Sequence, residues 1–227
     1  AIEDGRLQHG DASNPRGRFI NFLRSGGENA QHVFEADAST SDRHTKTNIA
    51  GRQSLLRILR FVRSLPGCEN AYVLKAQPET AVRETYRIVG EVRITHQDYT
   101  SGRIFDDAIS YSFYPIDLHD RDGVKPKPLS EGIVATVPLR DLIPKESRNL
   151  LVAGRSVSSD RLANSALRVQ ASCMAMGQAA GAAAALSARL ETTPGQVTVT
   201  VLHELLMQHG AIVPNLDIRA KDNSCTG

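Results

Sequence analysis

Residues 148–188, RNLLVAGRSVSSDRLANSALRVQASCMAMGQAAGAAAALSA, constrain the fold more than any other stretch of this 227-residue chain. Leu150, Leu151, Val152 and Ala153 form a continuous apolar run, which reads as a strand buried on both faces of a parallel sheet. Gly154 ends the run and permits a tight turn or close approach of backbone to a ligand. The polar residues Arg155–Asn164 read as a loop. From Gln170 to about Leu190 the residues are mostly Ala, Met, Leu, Gln and Ser, which favour helix. A helix of about 20 residues is roughly 30 Å long. Gly177, Ala180, Gly181 and Ala184 recur at three- and four-residue spacing. Such a small-residue face lets a helix lie close against a sheet or another helix. The helix start would turn N–H groups and the positive dipole end toward whatever occupies the loop mouth. A plain core strand followed by a plain core helix gives the same pattern, so this stretch alone leaves the function open.

The rest of the chain divides more coarsely. Residues 1–50, rich in Gly, Asn, Asp and Ser, read as a long irregular stretch that either wraps the domain or is poorly ordered. Gly51–Leu65 reads as a helix stopped by Pro66-Gly67. Ala71–Ala76, Tyr86–Thr95, Ile109–Pro115 and Gly132–Pro138 read as strands, with Thr95 able to cap a short turn through Tyr99. Leu118–Leu129 reads as a loop. Thr198–Gln208 reads as a helix stopped near Gly210. The expected division is an irregular region with an amphipathic helix at 1–67, strands at 68–140, a closing segment with a final helix at 141–215, and a polar tail at 216–227.

Three further blocks carry a resemblance: PETAVRETYRIVGE at 78–91, FDDAISYSFYPIDLHD at 105–120 and VPLRDLIPKESRNLL at 137–151. Together with NLLVAGRSVSS, SALRV and CMAMGQAAGAAAA, the chain resembles a bacterial family of FAD-dependent oxidoreductases with the two-part fold of glutathione reductase-type flavoproteins. The blocks fall in the family's order over roughly 78–190. The resemblance implies a mixed α/β fold: a substrate-domain β-sheet joined to the C-terminal strand-loop-helix of the FAD-binding fold. It implies FAD as cofactor. It also implies contacts to FAD from Gly154, Arg155, Ser165, Ala166, Leu167, Arg168 and Val169, with Ser165 and Ala166 near the ring. A flavin C2 carbonyl, which gains negative charge on reduction, suits the start of the helix. No Gly-x-Gly-x-x-Gly occurs in the 227 residues. The ADP half of FAD therefore lacks its usual phosphate cradle, and the expectation is part of a larger enzyme, with a non-catalytic remnant as the alternative.

Candidate chemistry beyond the loop centres on His119 and Asp117. His suits proton transfer near neutral pH, and Asp117 would orient it. A turn histidine at the surface is the structural alternative. Arg83 could hold a substrate carboxylate or phosphate; a structural Arg–Glu pair is its alternative, and Arg83 and Arg87 could share a helical face or bracket a turn. Arg52, Arg57, Arg60 and Arg63 alternate with apolar residues as on an amphipathic helix with a solvated basic face. With a net charge of +2 they do not argue for nucleic acid. Three cysteines make no disulfide framework, and Cys173 reads as a core residue. Ala171–Leu186 is apolar but short for a membrane span. There is no Gly-x-Ser-x-Gly or His-Glu-x-x-His, and the DLHDRDG loop puts Leu118 and Leu129 where calcium needs oxygen ligands. No metal site is expected. The expected partner is a small-molecule substrate, with neither nucleic acid nor membrane; a homo-oligomer is open, and the sequence names no compartment.

Overall fold

A computed structural model describes residues 1–11, 31–118 and 126–216. It is mixed α/β and forms two compact units, Ala1–Thr85 and a second that begins at Tyr86.

In the first unit, helix α1 (Ser41–Arg63) is the centre around which extended chain is fastened. The Thr40 side chain caps its start by accepting the Arg43 N–H. The predicted helix start at Gly51 was ten residues late, because 41–50 are polar and give little periodicity. Ile58 and Val62 pack with Leu7 in a small core. Side chains on α1 then hold the loops. Arg57 donates two bonds to Asp11 (3.0 and 2.9 Å), to which Ser54 also donates; Arg52 donates to the Pro78 carbonyl and Arg63 to the Ala71 carbonyl. Three of the four arginines at 52–63 thus hold loops of this unit. The predicted strand Ala71–Ala76 is irregular chain, with Tyr72 and Leu74 exposed. It has the composition of a strand but, among the described residues, no neighbouring strand to pair with.

In the second unit, β1 (Ala108–Ser112) and β2 (Ala135–Pro138) pair antiparallel, with Ser110 opposite Val137, Ser112 opposite Ala135 and an irregularity between Ala108 and Ser110. Both were expected, with longer bounds. Helix α2 (His96–Thr100) starts in a capping box formed by Thr95 and Asp98, as the Thr95 signal suggested. Helix α3 spans Arg161–Leu167, α4 Gln170–Arg189 and α5 Val199–Gln208. One core holds them, built from Ile94, Tyr99, Ile109, Val137, Leu142, Leu167, Met176, Leu186 and Leu202 among others. His203 of α5 reaches the Ala108 carbonyl of β1 through Nε2, 2.7 Å away, so that nitrogen carries the proton.

Two predicted strands are extended chain without ladders. Residues 88–94 run between 139–145 and 156–160, linked by Glu91 N–H to the Ile143 carbonyl, Val92 N–H to Arg140, Ile88 N–H to Ser156 and Ile94 N–H to Ser158. Gly90 is needed there: a Cβ would lie 2.8 Å from the Ser158 Cβ and 2.9 Å from the Asp141 carbonyl oxygen. The run 150–153 donates one bond, Val152 N–H to the Leu142 carbonyl (2.8 Å), and Leu150 is exposed. An apolar run fixes burial poorly when length and flanks are its sole further evidence. The face of α4 also differs. Ser172, Met176, Ala179, Ala183 and Leu186 are buried, whereas Gly177, Gly181 and Ala184 are exposed and Ala180 is half-buried. Met176 and Leu186 supply most of the apolar surface that this side removes from water.

Candidate functional site

The turn that follows residues 150–153 is built for close approach. Gly154 sits at φ +90°, a conformation that side-chain-bearing residues rarely adopt. The Val157 N–H closes the turn on the Gly154 carbonyl. The predicted loop ends early. Asp160 caps α3 by accepting the Ala163 N–H at 2.8 Å, so residues 161–164 are helical rather than loop. That N-cap aspartate was a legible signal that the loop reading passed over. Asn164 braces the turn from inside: its Nδ2 donates to the Arg155 carbonyl (3.2 Å) and to Ser159 Oγ (3.1 Å), and it is fully buried.

Two residues, Arg168 and Val169, separate the end of α3 from the start of α4. Its N-cap, Val169, has no side chain that can answer the helix N–H groups. The first closing bond is Cys173 N–H to the Val169 carbonyl, which leaves the N–H groups of Gln170, Ala171 and Ser172 without an acceptor among the described residues. Gly154 lies against this turn, since a Cβ on it would be 3.8 Å from Cys173 Sγ. Arg155 is exposed beside it, and its charge reaches Cys173. Burial nevertheless pushes the Cys173 thiol up, so it is a poor thiolate former and suits a packing role.

The candidate residues divide by position. Gly154, Arg155 and Val169 come together at the start of α4. Ser165, Ala166 and Leu167 are fully buried within α3. There the Ser165 hydroxyl donates to the Leu162 carbonyl at 2.7 Å. Asp117, 48 residues away in sequence, is brought onto the same elbow. Its N–H donates to Ser165 Oγ (3.1 Å), and Arg168 Nη2 donates to its carbonyl (2.9 Å). Arg83 lies in the first unit, half-buried in irregular chain, so no helical face carries it with Arg87. His119 lies outside the described residues. Among the described residues no group of three or more His, Cys, Asp or Glu is placed to hold a metal, and no helix is long and apolar enough to cross a membrane.

An open glycine, an exposed guanidinium and an uncapped helix of 20 residues converge on one spot, an arrangement that fits a ligand presenting carbonyl oxygens or negative charge. With the mixed α/β fold, the class so defined is a protein that holds a ligand of that chemistry at a helix start. The profile of the FAD-dependent oxidoreductase family matches residues 5–206, and the chain belongs to that family, whose cofactor is FAD. No curated protein and no solved structure matches it.

Proposed function

We propose that this chain forms the flavin-facing and substrate-facing part of an FAD-dependent oxidoreductase of the glutathione reductase-type fold, acting on a small organic substrate. The single observation that carries this reading is the convergence of Gly154, Arg155 and the uncapped start of α4. When bound, FAD supplies the acceptor for a hydride leaving a substrate carbon. The protein positions and polarises. The absent Cβ at Gly154 admits close contact. The N–H groups of Gln170, Ala171 and Ser172 offer donors to a carbonyl oxygen that gains charge. Arg155 adds a positive charge at the same mouth. Asp117, anchored by Ser165 and Arg168, holds the YPID segment against the elbow. His119 is assigned the substrate proton, and Arg83 a substrate anion.

A flavin titration tests the placement. The sites named here contact the flavin and not the ADP half, so riboflavin and FAD should both bind, both weaker than micromolar and within a few fold of each other. Flavin fluorescence reads the affinity. Gly154→Val should abolish binding of both. Submicromolar FAD binding without riboflavin binding would point to an ADP site elsewhere. A chain that binds neither supports the non-catalytic remnant. If His119 is the base, His119→Ala in the complete enzyme slows flavin reduction by about 10²–10⁴-fold with FAD content little changed.

A further inference from the structure

A chain of three hydroxyls runs through the core of the second unit to the start of α4. Tyr99 Oη on α2 donates to the Tyr114 carbonyl at 2.8 Å and lies 3.0 Å from Ser112 Oγ on β1. Ser112 Oγ lies 3.0 Å from Ser172 Oγ, in the first turn of α4. Tyr99 is fully buried, and Ser112 and Ser172 are nearly so. The direction of the chain follows from proton counting. A carbonyl cannot donate, so the one proton of Tyr99 goes to Tyr114. Ser112 must then donate to Tyr99, and Ser172 to Ser112. The chain ends on a carbonyl, which has no proton to pass on, so it is a tether and not a proton relay. It also commits the Ser172 proton inward, so that donors at the mouth of α4 come from the backbone.

We propose that Tyr99 and Ser112 are positioning residues that hold the first turn of α4, through Ser172, in the place where its N–H groups meet the flavin. This rests on the flavin placement proposed above. Three elements, joined by bonds of which the longest in sequence spans 60 residues, are fixed to one another at the point where the helix has no cap of its own. Burial makes each bond matter, since an inward hydroxyl that loses its partner has no water to turn to.

Two readouts on the full chain test the proposal and keep it separate from the flavin placement. The first is amide hydrogen exchange by NMR without ligand. Tyr99→Phe, Ser112→Ala and Ser172→Ala should each speed exchange at Cys173 and Met174 by about threefold to tenfold, the range of one hydrogen bond. Leu206 in α5 should not change. The double variant of Tyr99→Phe with Ser112→Ala should be no faster than the singles, because the three hydroxyls act as one tether. The second readout is riboflavin affinity, which should fall by a similar factor in Tyr99→Phe and Ser112→Ala. Unchanged exchange at Cys173 in Tyr99→Phe, or additive effects in the double variant, would overturn the tether. Faster exchange with unaltered riboflavin affinity would overturn its role in positioning. If the unaltered chain binds no riboflavin, the flavin placement fails and the positioning role falls with it, while exchange still decides the tether. Should Tyr99→Phe fail to fold, Ser172→Ala, the smallest change, carries both measurements.

Discussion

At the scale of single residues, Asp141 is the least expected feature. It ends the short turn after β2, is fully buried, and neither carboxyl oxygen has a hydrogen-bond partner among the described residues. Burial, with the nearby charge of Asp107, pushes its carboxyl up to about 8 from an ordinary 3.8. The folded protein therefore holds a proton that the unfolded chain releases. Stability that is fully present below about pH 4 is lost as pH rises through about 8, with a slope of up to about 1.4 kcal/mol per pH unit. Asp141→Asn removes the charge and should flatten that decline, leaving the variant more stable than the parent at pH 7. Urea melts at pH 5, 6, 7 and 8 check this; parallel pH dependences in the two proteins would mean Asp141 stays ionised in the fold. Ala166 shows the opposite lesson. Its place near a ring was expected from the SALRV block, yet it is buried in α3. An acidic substitution there would act by burying a charge, and cannot serve as a clean probe of flavin potential.

At the scale of elements, Asp160 joins two helices. One oxygen caps α3 through the Ala163 N–H, and the other accepts the His96 N–H at the start of α2, 2.5 Å away. The Asp160 N–H in turn meets the Ile94 carbonyl. Asp160→Ala removes a cap and leaves a second N–H unanswered, and should cost about 1–3 kcal/mol in denaturant melts. Asp160→Asn keeps one acceptor oxygen and should cost less. Equal costs for the two would show that one bond alone matters. How well each element could be read in advance follows from its forces. Helices α4 and α5, and the Thr95 cap, were legible because propensity and capping are local. The runs 86–95 and 150–153 were misread because a ladder depends on which neighbour the tertiary fold supplies.

At the scale of the whole molecule, Asp11 in the first unit and Asp141 in the second respond to pH in opposite directions. In the first, burial raises the Asp11 carboxyl, but hydrogen bonds from Arg57, Ser54 and Gln8 outweigh it and hold it below the usual range. Its contribution is present above the unfolded value near 3.8 and is lost as pH falls through the folded one. Amide exchange, corrected for intrinsic rates, should therefore show α1 losing protection on acidification and α4 on the approach to pH 8. Asp11→Asn should reduce the first effect and Asp141→Asn the second. A uniform response along the chain would contradict this division.

The sequence by itself determined what depends on neighbours along the chain: a glycine free to take positive φ before the elbow, a long helix of small residues, its start without a capping side chain, and the blocks that mark the FAD-dependent oxidoreductase family. Tertiary structure alone decided which side of α4 is buried, that Asp117 is bonded to Ser165 and Arg168, and that three hydroxyls from α2, β1 and α4 meet in line. The physical reason is one of range. Propensity, capping and backbone strain are set within a few residues, whereas burial and side-chain hydrogen bonds are settled by chain 48–60 residues away, whose arrival no local pattern records.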